Sequence, residues 1–297
     1  MARVLITGAS GLLGRAIFRE FTALQSWETL GLAFSRCGAN LKKVDLTKEA
    51  EVVAVIQDFK PNVIIHSAAE RRPDVVEKQE DKTKALNVTA TQTICREAAK
   101  VGAFVMYLST DYVFDGTSPP HKVTDEPNPL NKYGISKLEG EKTVREASAD
   151  NIVLRVPILY GTIESLSESA VTILFKQVRD TSTPCKMDDL LRRFPTHCDD
   201  VAFVIRQLAE KRMQDPSLTG VFHWSGDENM TKYDMSLVMG EIFGISTNHI
   251  EADKNPPKGA PRPENAQLDP SRLEHLGIGK RTAFRNGIKA ALEPFLI

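Results

Sequence analysis

The sequence predicts an α/β fold: a doubly wound parallel sheet carrying a smaller C-terminal α/β lobe of the substrate-holding type. Three observations predict it. An apolar run, Val4-Leu5-Ile6-Thr7, ends at Gly8, and a helical pattern opens straight after through Gly11 and Gly14. Strand-like apolar runs then alternate with helical stretches through the first half, the pattern of a parallel sheet flanked by helices. The chain has 297 residues, 41% hydrophobic and 26% charged, which is enough to bury a core of that size.

Taken in order, strands are expected at 3–7, 28–34, about 42–44, 63–66, 104–109 and 152–157, and helices at 13–24, 48–59, 82–101 and 137–147. In the second of these helices Val52, Val53, Ile56 and Phe59 recur at helical spacing and predict one buried face. The second half is less regular. A helix at about 199–211, a strand at 221–224 and a helix at 232–243 are expected. Pro256, Pro257, Pro261 and Pro263 make 253–264 an extended loop, because proline fits neither a helix interior nor a central strand. The expected division is a dinucleotide-binding domain over 1–160 and a smaller lobe over 161–297, with elements near 199–226 returning to the first sheet.

Several function classes lose support. A net charge of −1 gives no reason to expect nucleic acid or an anionic membrane as partner. The sequence has no apolar run of membrane-spanning length. Met1 leads into a strand rather than a leader peptide, so a cytoplasmic location is expected. Cys37, Cys95, Cys185 and Cys198 are scattered, with no Cys-x-x-Cys and no histidine at ligand spacing. They read as free thiols, and no metal is expected.

The glycine run points to a nicotinamide dinucleotide. Gly8 permits a tight turn, Gly11 lets backbone approach phosphate, and Gly14 lets the helix pack close to its strand. Ser10, Leu12 and Leu13 share that Rossmann-type turn and are expected beside the cofactor. An acidic residue after the second strand would hold a free ribose 2′-hydroxyl. Here Ser35-Arg36 stand instead, and Arg36, with Arg15 as helper, suits a 2′-phosphate. NADP is therefore expected over NAD. Asp45, followed by Leu46, is read as an acceptor for adenine or as a helix cap. Ala68 and Ala69 are small enough to leave room for the cofactor, and Asn87 is placed in the same binding set. His66, alone at a strand end, reads as a packed core residue.

Tyr133 and Lys137 stand at i and i+4, on one helix face. Thr110 ends a separate strand and can reach the same point. An ammonium beside a phenol favours phenolate and lowers its pKa. Lys137 is therefore expected to tune Tyr133 and hold the nicotinamide ribose. Tyr133 would protonate a carbonyl that Thr110 orients, while hydride arrives from the cofactor.

With these residues the chain resembles the extended short-chain dehydrogenases/reductases, and within them the dTDP-4-dehydrorhamnose reductase group. The matching motifs are Gly8 to Gly14, Ser109-Thr110-Asp111-Tyr112-Val113-Phe114-Asp115-Gly116, Tyr133-Gly-Ile-Ser-Lys137, Phe194-Pro195-Thr196-His197, Gly220-Val221-Phe222-His223, and Arg262-Pro263-Glu264-Asn265-Ala266-Gln267-Leu268-Asp269. It is more similar still to one branch, the regulatory beta subunits of methionine adenosyltransferase. That likeness rests on Ala68-Ala69-Glu70-Arg71-Arg72-Pro73-Asp74-Val75-Val76-Glu77, Arg155-Val156-Pro157-Ile158-Leu159-Tyr160-Gly161, Arg193-Phe194-Pro195-Thr196-His197, Phe222-His223-Trp224-Ser225-Gly226, Met230-Thr231-Lys232-Tyr233 and Pro294-Phe295-Leu296-Ile297. The resemblance implies a reductase fold that keeps its NADP site. It implies a non-catalytic role: binding the methionine adenosyltransferase catalytic subunit and modulating S-adenosylmethionine synthesis. It also implies a basic, aromatic tail beyond such a Pro-Phe-Leu-Ile stretch, whereas this sequence stops at Ile297. The alternative is a working NADPH-dependent reductase of the dTDP-4-dehydrorhamnose type, since Thr110, Tyr133 and Lys137 fit both. Arg71, Arg72, Arg262 and Asn265 are the candidates for a substrate-type pocket, the first two as diphosphate ligands.

Overall fold

The computed structural model describes residues 1–296; Ile297, which closes the last of those motif stretches, lies outside them. The chain runs β1 (Ala2–Thr7), α1 (Leu12–Thr22), β2 (Trp27–Ala33), β3 (Leu41–Lys43), α2 (Glu49–Phe59), β4 (Val63–His66), α3 (Pro73–Val76), α4 (Glu80–Lys84), α5 (Ala90–Lys100), β5 (Phe104–Thr110), α6 (Lys132–Ala147) and β6 (Ile152–Val156). It continues through β7 (Leu159–Tyr160), α7 (Phe175–Arg179), β8 (Cys185–Asp188), β9 (Thr196–His197), α8 (Cys198–Gln214), β10 (Gly220–His223), α9 (Lys232–Phe243), β11 (Ile250–Asp253), α10 (Ser271–Glu274) and α11 (Phe284–Leu292).

Among the described residues, seven strands form one sheet in the order β10-β6-β5-β4-β1-β2-β3. Every adjacent pair is parallel. The chain builds outward from β1 to β3, then returns to lay β4 on the other side of β1. That reversal opens a crevice at the carboxyl ends of β1 and β4, where open α/β sheets bind ligands. The pairs β11-β8 and β7-β9 form two small sheets outside this one, and β7, at Leu159–Tyr160, starts before the expected division at 160.

Alternation along β1 sends Val4 and Ile6 to one face and Leu5 to the other. The Val4 face packs against Leu13, Ile17 and Phe21 of α1 and Val201, Ile205 and Leu208 of α8. The Leu5 face packs against Val52, Val55 and Ile56 of α2, Ile94 of α5 and Val144 of α6. Helices thus cover both faces, as the alternating pattern predicts.

Three expectations shift. The buried face of α2 uses Val55, with Val53 only half-buried. The helix expected at 82–101 begins at Glu80 and contains a π-type turn at Ala85–Thr89. The helix expected from 137 starts at Lys132, because Asn131 caps it by accepting the Gly134 N–H at 2.8 Å. That earlier start puts Tyr133 and Lys137 on one helix. The helix at 232–243 has the predicted bounds. A reciprocal Thr231–Asp234 capping box starts it, and Gly244 at φ 65 ends it.

Candidate functional site

A cavity of about 980 Å³ occupies the crevice, at the upper end of the ~300–1,000 Å³ usual for ligand sites. Its walls come from the ends of β1, β2, β4 and β5, from the face of α6 and from the second lobe.

The first wall is backbone. Gly8 has φ 66, a conformation that costs little only for glycine. A Cβ there would stand 2.9 Å from the Ala68 backbone, so the β1 and β4 loops approach as closely as two chains can. A Cβ on Gly14 would overlap the Gly8 carbonyl, which is why α1 can start directly under β1. At Gly11 a Cβ would meet only the Gly8 oxygen, at 3.2 Å. Gly11 serves as N-cap with no side-chain bond, and the first turn of α1 carries no acidic residue. The helix therefore presents uncapped N–H groups and its positive end to the cavity, a fit for an anionic pyrophosphate.

Behind this wall lies a polar support. Register places Thr7 beside His66. The Thr7 hydroxyl accepts the N–H groups of Ser67 and Ala68 at 3.2 Å each and shares a 2.7 Å hydrogen bond with His66 Nδ1. His66 Nε2 reaches Thr91 Oγ1 at 2.9 Å. Burial pushes the His66 pKa down to about 3, so the imidazole is neutral and packed, as read from sequence. Asn87 is likewise buried and does not line the cavity. Its Oδ1 accepts the Glu70 N–H at 2.9 Å, and its Nδ2 donates to Glu70 O and Ser136 Oγ, both at 3.2 Å. It ties the β4 loop to α6.

Ser10, Leu12, Leu13, Ser35, Arg36, Asp45, Leu46, Ala68 and Ala69 all line the cavity. Asp45 accepts the Thr47 N–H and hydroxyl in a local turn, and those bonds hold its carboxyl below the usual range. Lys48, not Asp45, is the N-cap of α2. Arg36 and Arg15 do converge, but on carboxylates. Glu168 accepts Arg15 Nη2 at 2.6 Å, and Arg36 bonds both Glu168 and Glu164, the latter at 2.8 Å.

Thr110, Tyr133 and Lys137 share one stretch of wall. Their electrostatics differ from the expectation. The Tyr133 phenol is pushed well above its ordinary value by burial, an effect that hydrogen bonding with Thr110 only partly offsets. The lowering comes chiefly from Thr110 and Arg71, and Lys137 is turned toward another ring. Its ammonium sits 3.9 Å from the centroid of the Tyr107 ring, and burial brings its own pKa down to about 7. The reason is depth: Lys137 is 3% exposed, folded over the β5 aromatic. The Thr110 hydroxyl donates to Asp111 Oδ1 at 3.0 Å and accepts the Tyr112 N–H at 3.2 Å. Asp111 is buried, and burial raises its pKa to about 6 against the pull of Arg193.

The second-lobe half of the cavity is cationic. Arg71, Arg193, Lys232, Lys258 and Arg262 line it, with Asp188. Arg193 is buried and held by the Pro263 carbonyl at 3.1 Å, and burial lowers the Lys232 ammonium. Arg262 donates to Asp74 Oδ2 at 2.9 Å, while Asp74 Oδ1 accepts the Ala260 N–H at 3.1 Å. This clasp closes the proline-rich loop over the crevice. Arg72 and Asn265 do not line the cavity. Arg72 forks onto Glu70 at 2.7–2.9 Å. Asn265 lies against Gly116 and accepts the Gln267 N–H at 3.2 Å. Sequence reasoning missed Arg193, Lys232, Lys258 and Asp188. The first two stand inside the Arg-Phe-Pro-Thr-His and Met-Thr-Lys-Tyr runs, which flagged them as motif but not as pocket. Among the described residues no cluster of His, Cys, Asp or Glu could hold a metal ion, and no helix is long and apolar enough to cross a membrane.

Comparison with known proteins gives concordant matches. The family model described as RmlD substrate binding domain matches residues 2–297. Methionine adenosyltransferase 2 subunit beta of Bos taurus is 54% identical, over 99% of this chain and 88% of the relative. The dTDP-4-dehydrorhamnose reductase of Aggregatibacter actinomycetemcomitans is 30% identical, over 92% of each chain. Among solved structures, dTDP-4-dehydrorhamnose reductase from Bacillus anthracis in complex with NADP superposes with a TM-score of 0.85 at 25% identity, covering 99% of both chains.

Proposed function

Because the chain belongs to the RmlD substrate binding domain family, and within it to the methionine adenosyltransferase 2 subunit beta group, we propose that it is a cytoplasmic, NADP-binding, non-catalytic regulatory subunit. Its partner is the methionine adenosyltransferase catalytic subunit, and its effect is to modulate S-adenosylmethionine synthesis. Kinship with the beta subunits carries the non-catalytic part, and the triad's surroundings accord with it. The residues of the reductase triad are present, yet Tyr133 is driven away from ionisation while Lys137 rests on the Tyr107 ring. Burial keeps the phenol protonated, and the Thr110 hydrogen bond and the Arg71 charge offset that only in part.

The dinucleotide part rests on fit. The uncapped start of α1 and the cradle of Gly8, Gly11 and Gly14 suit a pyrophosphate. Ala68 and Ala69 leave room beside it. Asp45 lines the adenosine end with an acceptor, and Tyr133 and Lys137 line the nicotinamide end. A bound reduced nicotinamide supplies hydride, and in the regulatory role that capacity goes unused.

Size exclusion with light scattering, with NADP present and the organism's own catalytic subunit added, tests the reading. A stable mixed complex is expected, and it should survive Tyr133→Phe. Separate elution at micromolar concentrations removes the regulatory role. The second reading, an NADPH-dependent sugar-nucleotide reductase, is favoured by the cationic second-lobe half, where Arg71, Arg193 and Lys232 suit a diphosphate. NADPH oxidation on adding dTDP-4-dehydrorhamnose, abolished by Tyr133→Phe, would establish it.

A further inference from the structure

The two arginines that suit a ribose 2′-phosphate already hold an anion of the chain's own. Arg15 begins one turn into α1, and Arg36 follows β2, which is where a Rossmann sheet meets the adenosine ribose. Between them sits Glu168, from the second lobe. Its carboxylate accepts Arg15 Nη1 at 3.1 Å, Arg15 Nη2 at 2.6 Å, the Glu164 N–H at 2.9 Å and a bond from Arg36. Glu164 adds a second carboxylate, 2.8 Å from Arg36 Nη1 and 3.5 Å from Arg15 Nη1. Arg15 Nη1 and Nη2 also donate to the Ser10 and Thr162 carbonyls. Two guanidinium charges thus face two carboxylate charges, and the local field that would attract a phosphate is cancelled.

We propose that Glu168, seconded by Glu164, is a specificity-determining residue at the ribose 2′ position: it acts as an internal competitor for the 2′-phosphate and narrows this chain's preference for NADP(H) over NAD(H). The inference rests on the dinucleotide reading above and deepens it. A carboxylate and a phosphate take the same guanidinium edges. A 2′-phosphate at Arg36 must either displace Glu168 or lie beside it and suffer repulsion. A 2′-hydroxyl has no such conflict and can donate to a carboxylate, as it does to the acidic residue of NAD-binding folds. Burial favours the neutral acid, but the bonds to Arg15, the Glu164 N–H and Arg36 bring the Glu168 pKa down to about 2. The competitor is therefore charged at every working pH. The Glu168 carbonyl also accepts a bond from Arg71, which anchors the segment across the crevice.

The test titrates the full chain and its Glu168→Gln and Glu164→Gln variants with NADPH and with NADH, following nicotinamide fluorescence. Wild type is expected to bind both. Glu168→Gln should tighten NADPH about fivefold, the scale of one partly exposed ion pair, and leave NADH within about twofold. Glu164→Gln should move the same way by less. Glu164 is 57% exposed, so that variant carries the test should Glu168→Gln fail to fold. Weaker NADPH binding by either variant would show that the carboxylates orient the arginines for phosphate, and would overturn the proposal. Equal tightening of NADH overturns it too. If no form of the protein binds either dinucleotide, the cofactor reading itself falls and takes this inference with it.

Discussion

The two halves of the cavity are built from different materials. The β1–β4 half is made of backbone: Gly8 and Gly14 leave no room for a Cβ, and the start of α1 offers N–H groups. The second-lobe half is made of long charged side chains, Arg71, Arg193, Lys232, Lys258 and Arg262, drawn from segments far apart in sequence. A backbone wall is rigid and tolerates no added atom. A side-chain wall can change its charge or partner with little effect on the fold. The first half should therefore fail abruptly on substitution, and the second by degrees.

The largest effect is expected at Gly14. Gly14→Ala forces a methyl into the Gly8 carbonyl, so α1 must shift, at a cost of about 3 kcal/mol or more. Thermal or urea denaturation checks it, and an unchanged midpoint would break the claim of a rigid wall. Gly11→Val tests the same wall from the ligand side. A Cβ at Gly11 would stand 3.2 Å from the Gly8 carbonyl oxygen, so the turn must give slightly, and a valine also fills the space above the helix N-terminus. The dinucleotide should weaken by roughly a hundredfold, the loss of one or two charge-assisted hydrogen bonds, with a smaller fall in melting midpoint than Gly14→Ala causes. Unchanged affinity in calorimetry would remove the phosphate assignment.

Lys137 lies where the two halves meet, and its prediction is a pH dependence. Its folded pKa of about 7 is below the ordinary lysine value. Between those two values the unfolded chain binds the extra proton, so stability rises with pH across that window. Below about pH 7 the ammonium stays buried and its cost is greatest. Lys137→Met should therefore stabilise the fold most near pH 6, with the gain fading toward pH 10. A gain that is flat with pH would mean that the Tyr107 ring compensates the charge fully. The smallest effect belongs to the clasp. Asp74→Asn weakens a pair whose carboxylate is 59% exposed, worth about 0.5 kcal/mol. It should loosen the 253–264 loop, seen as faster amide exchange there, while the sheet keeps its protection.

The same contrast explains which features were legible. Most strands of the main sheet were visible as apolar runs, because a central parallel strand is buried on both faces and shows no polar alternation; the edge strand β3, with Lys42 and Lys43 exposed, carries no such run. The start of α6 was misplaced because the signal was a single residue, Asn131, whose capping bond becomes certain only once the helix exists. Asn87, Arg72 and Asn265 carried the right chemistry for a pocket but point elsewhere, toward Glu70, Ser136 and Gln267. Arg36 lines the cavity, but its partners, Glu164 and Glu168, lie more than a hundred residues away.

By itself the sequence determined the sheet, the glycine cradle and the shared helix face of Tyr133 and Lys137, because each depends on residues within a few positions of one another. Only the tertiary structure decided the charge state around those residues. It put Lys137 on the Tyr107 ring, buried the Tyr133 phenol, clasped Arg262 to Asp74 and filled the Arg15–Arg36 fork with Glu168. Electrostatic energy depends on distance through space and on the water excluded between charges, and a linear sequence fixes neither.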